Sequence, residues 1–166
     1  MANFKEAAEK ILDIEGGYVN DPDDYGRETN RGICKREYPE EDIKNLTKDR
    51  VLFLFKRDCW DKVSLDFVRN QQVAEEIFDL AAQLGWHRAA KKIQEIMNFL
   101  EMCSGSGIQL KIDGLIGPKT IGIINSYRYQ LSIVKCLNGE QYEHYEKEAT
   151  ENPRQRKYID GWLKRT

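Results

Sequence analysis

Residues 11–33 read ILDIEGGYVNDPDDYGRETNRGI: an apolar helix end, two glycines, then a loop crowded with carboxylates, hydroxyls and amides. Upstream, Phe4, Ala8, Ile11 and Leu12 fall at i, i+4, i+7 and i+8, flanked by Ala7 and Ile14. That spacing predicts an amphipathic helix. Asn3 is its expected N-cap, with Glu6 three residues on. Glu15 stands at i+11 from Phe4, on the apolar side of the same helix, and Gly16-Gly17 supply the stop. Burial disfavours a charged carboxyl, and the partial negative charge of a helix C-terminus pushes the same way. Both predict a raised pKa for Glu15, which is what a general acid at neutral pH requires. Helix geometry alone also admits a Glu that bends into water from a fraying last turn.

The loop after Glu15 holds Asp21, Asp23, Asp24, Glu28, Thr29 and Asn30, with Tyr18 and Tyr25 among them. Cleavage of a glycosidic bond needs an acid for the leaving oxygen, and a carboxylate or positioned water on the other face of the sugar. An acid at a helix end and a second on a loop folding back over it meet that need. A calcium loop fails on spacing, because Tyr25 takes the fifth position and Gly32 the twelfth of an EF-hand register starting at Asp21. A plain solvated turn stays open, since D-P and D-D-Y-G are ordinary turn chemistry.

These residues resemble a known family. E-G-G-Y-V-N-D-P at 15–22, followed by D-x-G-x-x-T-N-x-G-I at 24–33, is similar to the opening of glycoside hydrolase family 108, the bacterial and phage N-acetylmuramidases. Many of its members carry the name secretion activator protein, and phage-type endolysins are close in pattern. R-D-C-W-D-K at 57–62 and I-F-D-L-A-A-Q-L-G at 77–85 resemble the rest of that domain. D-G-L-I-G-P-K-T at 113–120 and G-W-L-K-R at 161–165 resemble the small peptidoglycan-binding-type domain that usually follows. The resemblance implies that Glu15 is the catalytic residue. Asp24 and Thr29 follow it in an order similar to phage-type lysozymes, with the Glu-to-Asp spacing kept and Thr29 one residue early. The family usually shows D-x-G-G-x-T, and here Arg27 replaces a glycine. If that position needs positive φ, Arg27 strains the loop; if not, it places a cation beside the acids.

Composition bounds the rest. At 166 residues, with 40% hydrophobic and 33% charged, the chain is one folded domain or two small ones sharing a core. A net charge of −2 gives no basic field for nucleic acid. No apolar run approaches the ~20 residues of a membrane helix. MANFKEAAEK lacks the apolar centre of a secretion signal, so action in the periplasm or cell wall is expected to follow export by another route, or lysis. Cys34, Cys59, Cys103 and Cys136 are widely spaced and read as reduced, mostly buried thiols. With two histidines and no H-E-x-x-H, neither a metal nor a cofactor is implied.

Along the chain, a short helix is expected from Thr29 to Glu37, with Ile33 and Cys34 turned inward. Thr47 caps a helix carrying Val51, Leu54, Phe55 and Cys59. Trp60 reads either as a sugar-stacking ring in a cleft or as a core indole with its N–H satisfied. The segment 71–85 is a helix burying Val73, Ile77, Leu80, Ala81 and Leu84. Its second line, Glu75, Asp79 and Gln83, reads as a substrate groove opposite Glu15 or as a solvated face. Gly85 separates it from a helix over 86–100. Asp113-Gly114 is a turn, and Pro118 opens a further helix. Long helices over about 127–148, carrying Leu131, Val134, Leu137 and Tyr145, and from about 153 complete the chain.

The expected fold is mainly α: a lysozyme-like domain over 1–90 with a small β-hairpin within 15–30, then a small helical peptidoglycan-binding-type domain over 91–166 sharing its core. The expected partner is the glycan strand of peptidoglycan, bound by a monomer through Tyr18, Asn30, Trp60, Asp79 and Gln83. Catalysis would rest on Glu15, Asp24 and Thr29, cutting the β-1,4 bond from N-acetylmuramic acid to N-acetylglucosamine. A non-catalytic wall-binding or secretion-related module on the same fold is the alternative.

Overall fold

The computed structural model describes residues 1–14, 16–21 and 27–164. Helix α1, Phe4–Ile14, starts where the sequence placed it. Asn3 Oδ1 accepts from the Lys5 amide at 2.9 Å, and its own side-chain amide reaches Glu6 at 3.2 Å. Ala7, Ala8 and Ile11 are buried. Phe4 meets Trp60 and Phe78 edge-on, with ring centroids 5.4 and 5.8 Å apart.

A three-stranded antiparallel sheet follows: β1 Val19–Asn20, β2 Glu28–Asn30 and β3 Ile33–Cys34, in that order. Val19 pairs with Thr29, and Asn30 with Ile33. This corrects the helix expected over Thr29–Glu37. The cause is local: Arg31 and Gly32 both take positive φ, 52° and 79°, the two-residue hairpin loop whose twist matches its strands. Ile33 is still buried, as expected, and Cys34 is half-buried.

Helix α2, Lys48–Phe55, is capped by Thr47, whose hydroxyl accepts from the Arg50 amide at 3.2 Å. A π-helical turn, Lys56–Trp60, swings Cys59 and Trp60 into the core. Helix α3, Gln71–Leu84, is capped by Asn70 and is the central rod, packed on α1 and on the two long helices that follow. Phe78 on α3 gathers Phe4, Phe55 and Trp60 around it. Burying a large side chain of this kind contributes about 1.5–3 kcal/mol.

Gly85, at φ 77°, breaks the chain between α3 and α4, Trp86–Ser104. Helix α5, Pro118–Ser126, opens on Pro118. Helix α6, Gln130–Glu151, buries Ile133, Val134, Leu137, Gln141 and Tyr145. Leu131 is exposed, against expectation, because it lies in the first turn, off that stripe. A 3-10 segment, Pro153–Tyr158, leads into α7, Ile159–Trp162, so the expected last helix is shorter and partly 3-10.

One apolar cluster runs from Ala7 on α1 to Leu137 on α6, so the two halves share a core. Of the four thiols, Cys59 is buried, Cys34 and Cys136 are half-buried and Cys103 is exposed; the expectation of mostly buried thiols holds fully for Cys59. Among the described residues, no helix is long and apolar enough to cross a membrane.

Candidate active site

Two of the expected catalytic residues, Glu15 and Asp24, lie outside the described residues. The elements that flank them in sequence are α1 and the three-stranded sheet, and α3 packs on α1. Helix α1 runs beside α3 in the same direction. At its start the Asn3 amide donates to Gln71 at 2.7 Å; further along, Lys10 Nζ pairs with Glu75 at 2.5 Å. Between the two helices lies a cleft of about 460 Å³, with Lys10 and Ile11 on one wall and Gln72, Glu75, Glu76 and Asp79 on the other. Helix α1 ends at Ile14, immediately before Glu15 in sequence.

Asp79 is buried, and its Oδ2 accepts from Gln83 Nε2 and from Gln141 Nε2, both at 2.7 Å. The Gln83 bond follows from i,i+4 spacing on α3. The Gln141 bond arrives from α6, so Asp79 ties the first half of the chain to the second. Neither expected environment describes Asp79 fully: it lines the cleft, yet its carboxylate is held from behind by two amides.

Glu76 is a residue that the sequence reading missed. Burial pushes its carboxyl up to about 7, and the negative charges of Asp79 and Glu75 push the same way against Lys10. Such a group exchanges a proton near neutral pH. Its sequence signal was faint, an acid between Glu75 and Ile77 on a helix that shows acids on more than one face.

The sheet positions the next group. Thr29 is half-buried in the middle of β2. The Tyr18 hydroxyl donates to Glu28 Oε1 at 3.0 Å, and its ring remains open to solvent. Burial, then the Glu28 carboxylate, pushes the Tyr18 phenol up. Asn30 is buried, with its amide donating to the Ile43 carbonyl at 2.9 Å. It braces the sheet against the following 3-10 turn, Ile43–Asn45. Trp60 is fully buried, and its Nε1–H donates to Asp66 at 2.7 Å. Of its two readings the structure supports the core one: its ring packs edge-on against both Phe4 and Phe78 and is closed to solvent.

Asp21, directly after β1, is gripped from the far end of the chain by Lys157 at 2.5 Å and by the Tyr158 hydroxyl at 2.6 Å. Its hydrogen bond to Asp21 raises the Lys157 pKa, and burial, then its own bond to Asp21, raises the Tyr158 phenol. No spacing rule could have paired groups that far apart.

Residues 8–85 match the family model described as glycosyl hydrolase 108, and residues 88–166 match the one described as a predicted peptidoglycan domain. No curated protein matches. Among solved structures, "Structure of Brucella abortus SagA" is similar over 98% of this chain and 92% of that chain, at a TM-score of 0.71 and 24% identity, which shows a shared fold. The chain is therefore similar to the glycosyl hydrolase 108 family over residues 8–85 and to a predicted peptidoglycan domain over residues 88–166.

Proposed function

We propose that this chain is an N-acetylmuramidase that hydrolyses the β-1,4 bond from N-acetylmuramic acid to N-acetylglucosamine in peptidoglycan glycan strands. The observation that carries the reading is the glycosyl hydrolase 108 match over residues 8–85, coupled in the same chain to a peptidoglycan domain. Glu15 is the general acid that protonates the leaving oxygen. Asp24 either stabilises the developing positive charge or, with Thr29, positions the attacking water. Carboxyl groups about 6.5–9.5 Å apart give inversion, and about 5–5.5 Å apart retention. The open ring of Tyr18 and the cleft-lining Asp79, with Gln83 beside it, are the groups offered to the glycan. The hydrolase unit is taken as 1–90 and the helical unit as 91–166, acting in the periplasm or cell wall after export or lysis.

Digestion of purified peptidoglycan, borohydride reduction and mass spectrometry of the products test this reading. Muramitol ends are expected. Glucosaminitol ends would make the enzyme a glucosaminidase, and retained wall binding with no new ends would leave a binding module.

A further inference from the structure

The last segment of the chain returns to the first loop. Lys157 and Tyr158 both bond Asp21 Oδ2, across 136 and 137 residues of sequence. Asp21 follows β1, and β1 needs such a hold. Residues 16–20 are all exposed, and β1 adds two residues to a sheet whose other strands have three and two. Strands this short are not stable alone in water. The β3 side is fixed, because Ile33 sits in the core and Asn30 bonds the Ile43 carbonyl. The β1 side is joined to β2 by backbone pairing, Val19 with Thr29 and Asn20 with Glu28, and Asp21 ties it to Lys157 and Tyr158. Lys157 and Tyr158 fall in the segment that matches a peptidoglycan domain, Asp21 and Thr29 in the glycosyl hydrolase 108 segment.

We propose that Lys157 and Tyr158 are positioning residues for hydrolysis: through Asp21 they hold β1, and through the Val19–Thr29 pair they fix Thr29 in its working place. The C-terminal half then serves turnover itself, beyond any contact with the wall. The proposal rests on the muramidase reading of Glu15 and Thr29. The hold adds little to global stability, since the Lys157 and Asp21 side chains stay partly solvated. Its effect falls on geometry, and small misplacements near reacting groups cost rate steeply.

The test is the full-length Lys157→Met/Tyr158→Phe double variant, read by kcat and KM for reducing-end release and by hydrogen exchange over residues 16–21 and 28–30. The expected result is a kcat lower by roughly tenfold or more, KM within about twofold, faster exchange in both segments and an unchanged melting temperature. Lys157→Arg keeps the charge and should retain most of the rate. The swap Asp21→Lys/Lys157→Asp should recover rate lost in Asp21→Lys alone. A kcat within twofold of wild type in the folded double variant would overturn the proposal. So would a loss confined to KM, which would make these residues glycan contacts. A wild type that releases no reducing ends would sink the muramidase reading while leaving the hold open to judgement by exchange: faster exchange in the double variant supports it, and unchanged exchange overturns it.

Discussion

Arg27 shows what one residue does to this site. It takes φ 58°, in the left-handed region, so the glycine usual at this place in the family pattern answers a backbone demand that Arg27 meets under strain. Arg27→Gly should raise stability by about 0.5–1 kcal/mol, the relief of strain exceeding the entropy that glycine adds to the unfolded chain. A urea midpoint shifted upward at unchanged slope is the expected reading. Glu76 is the second case. Its folded pKa, about 7, lies above the ordinary carboxylate value of 4.5, so the folded state binds the extra proton between those values. Stability is therefore full below about pH 4.5 and falls as pH rises towards 7. Glu76→Gln should be near neutral at pH 4.5 and stabilising at pH 8, by about 1 kcal/mol after allowing for solvent screening at its open side. Thermal melts of both proteins at the two pH values measure this. The spacing on α3 singled out Asp79. It could not see Gln141, because a partner 62 residues away leaves no trace in local spacing.

Elements were legible where punctuation and periodicity agreed, as at Thr47, Gly85 and Pro118, each of which sits at the helix end that its chemistry implies. The hairpin after β2 was not, because Arg31 disguises a positive-φ position that Asn or Gly would have announced. Trp60 was undecided in sequence because a core indole and a sugar platform use the same residue; the π-helical turn before Asp61 settles its direction. The Asp113-Gly114 turn was readable from its two residues, but its support was not. Buried Gln94 on α4 accepts from the Gly114 amide at 2.9 Å and donates to Asp113 and to the Leu115 carbonyl. A Cβ at Gly114 would stand 2.7 Å from the His87 ring, at a φ of +75°. Gly114→Ala should therefore destabilise by more than the roughly 1–2 kcal/mol of left-handed backbone strain. Adding His87→Ala should return the steric part and leave the backbone part, which a double-mutant cycle in denaturant resolves.

At the scale of the whole molecule, the segment that matches glycosyl hydrolase 108 and the segment that matches a predicted peptidoglycan domain are tied by one apolar cluster, the Asp79–Gln141 bond and the grip of Lys157 and Tyr158 on Asp21. The shared core was legible from the length of the chain, 166 residues, too short for two large independent cores. The polar ties were not, since each joins residues more than sixty apart. The proposed hydrolysis depends on a proton delivered by Glu15. Reducing-end release from purified peptidoglycan by the wild type and by Glu15→Gln, over a pH series, tests that directly. Gln keeps the shape and removes the proton, so the variant should stay folded and lose activity by several orders of magnitude at every pH. Unchanged turnover in Glu15→Gln would contradict the account and put the acid elsewhere in the molecule.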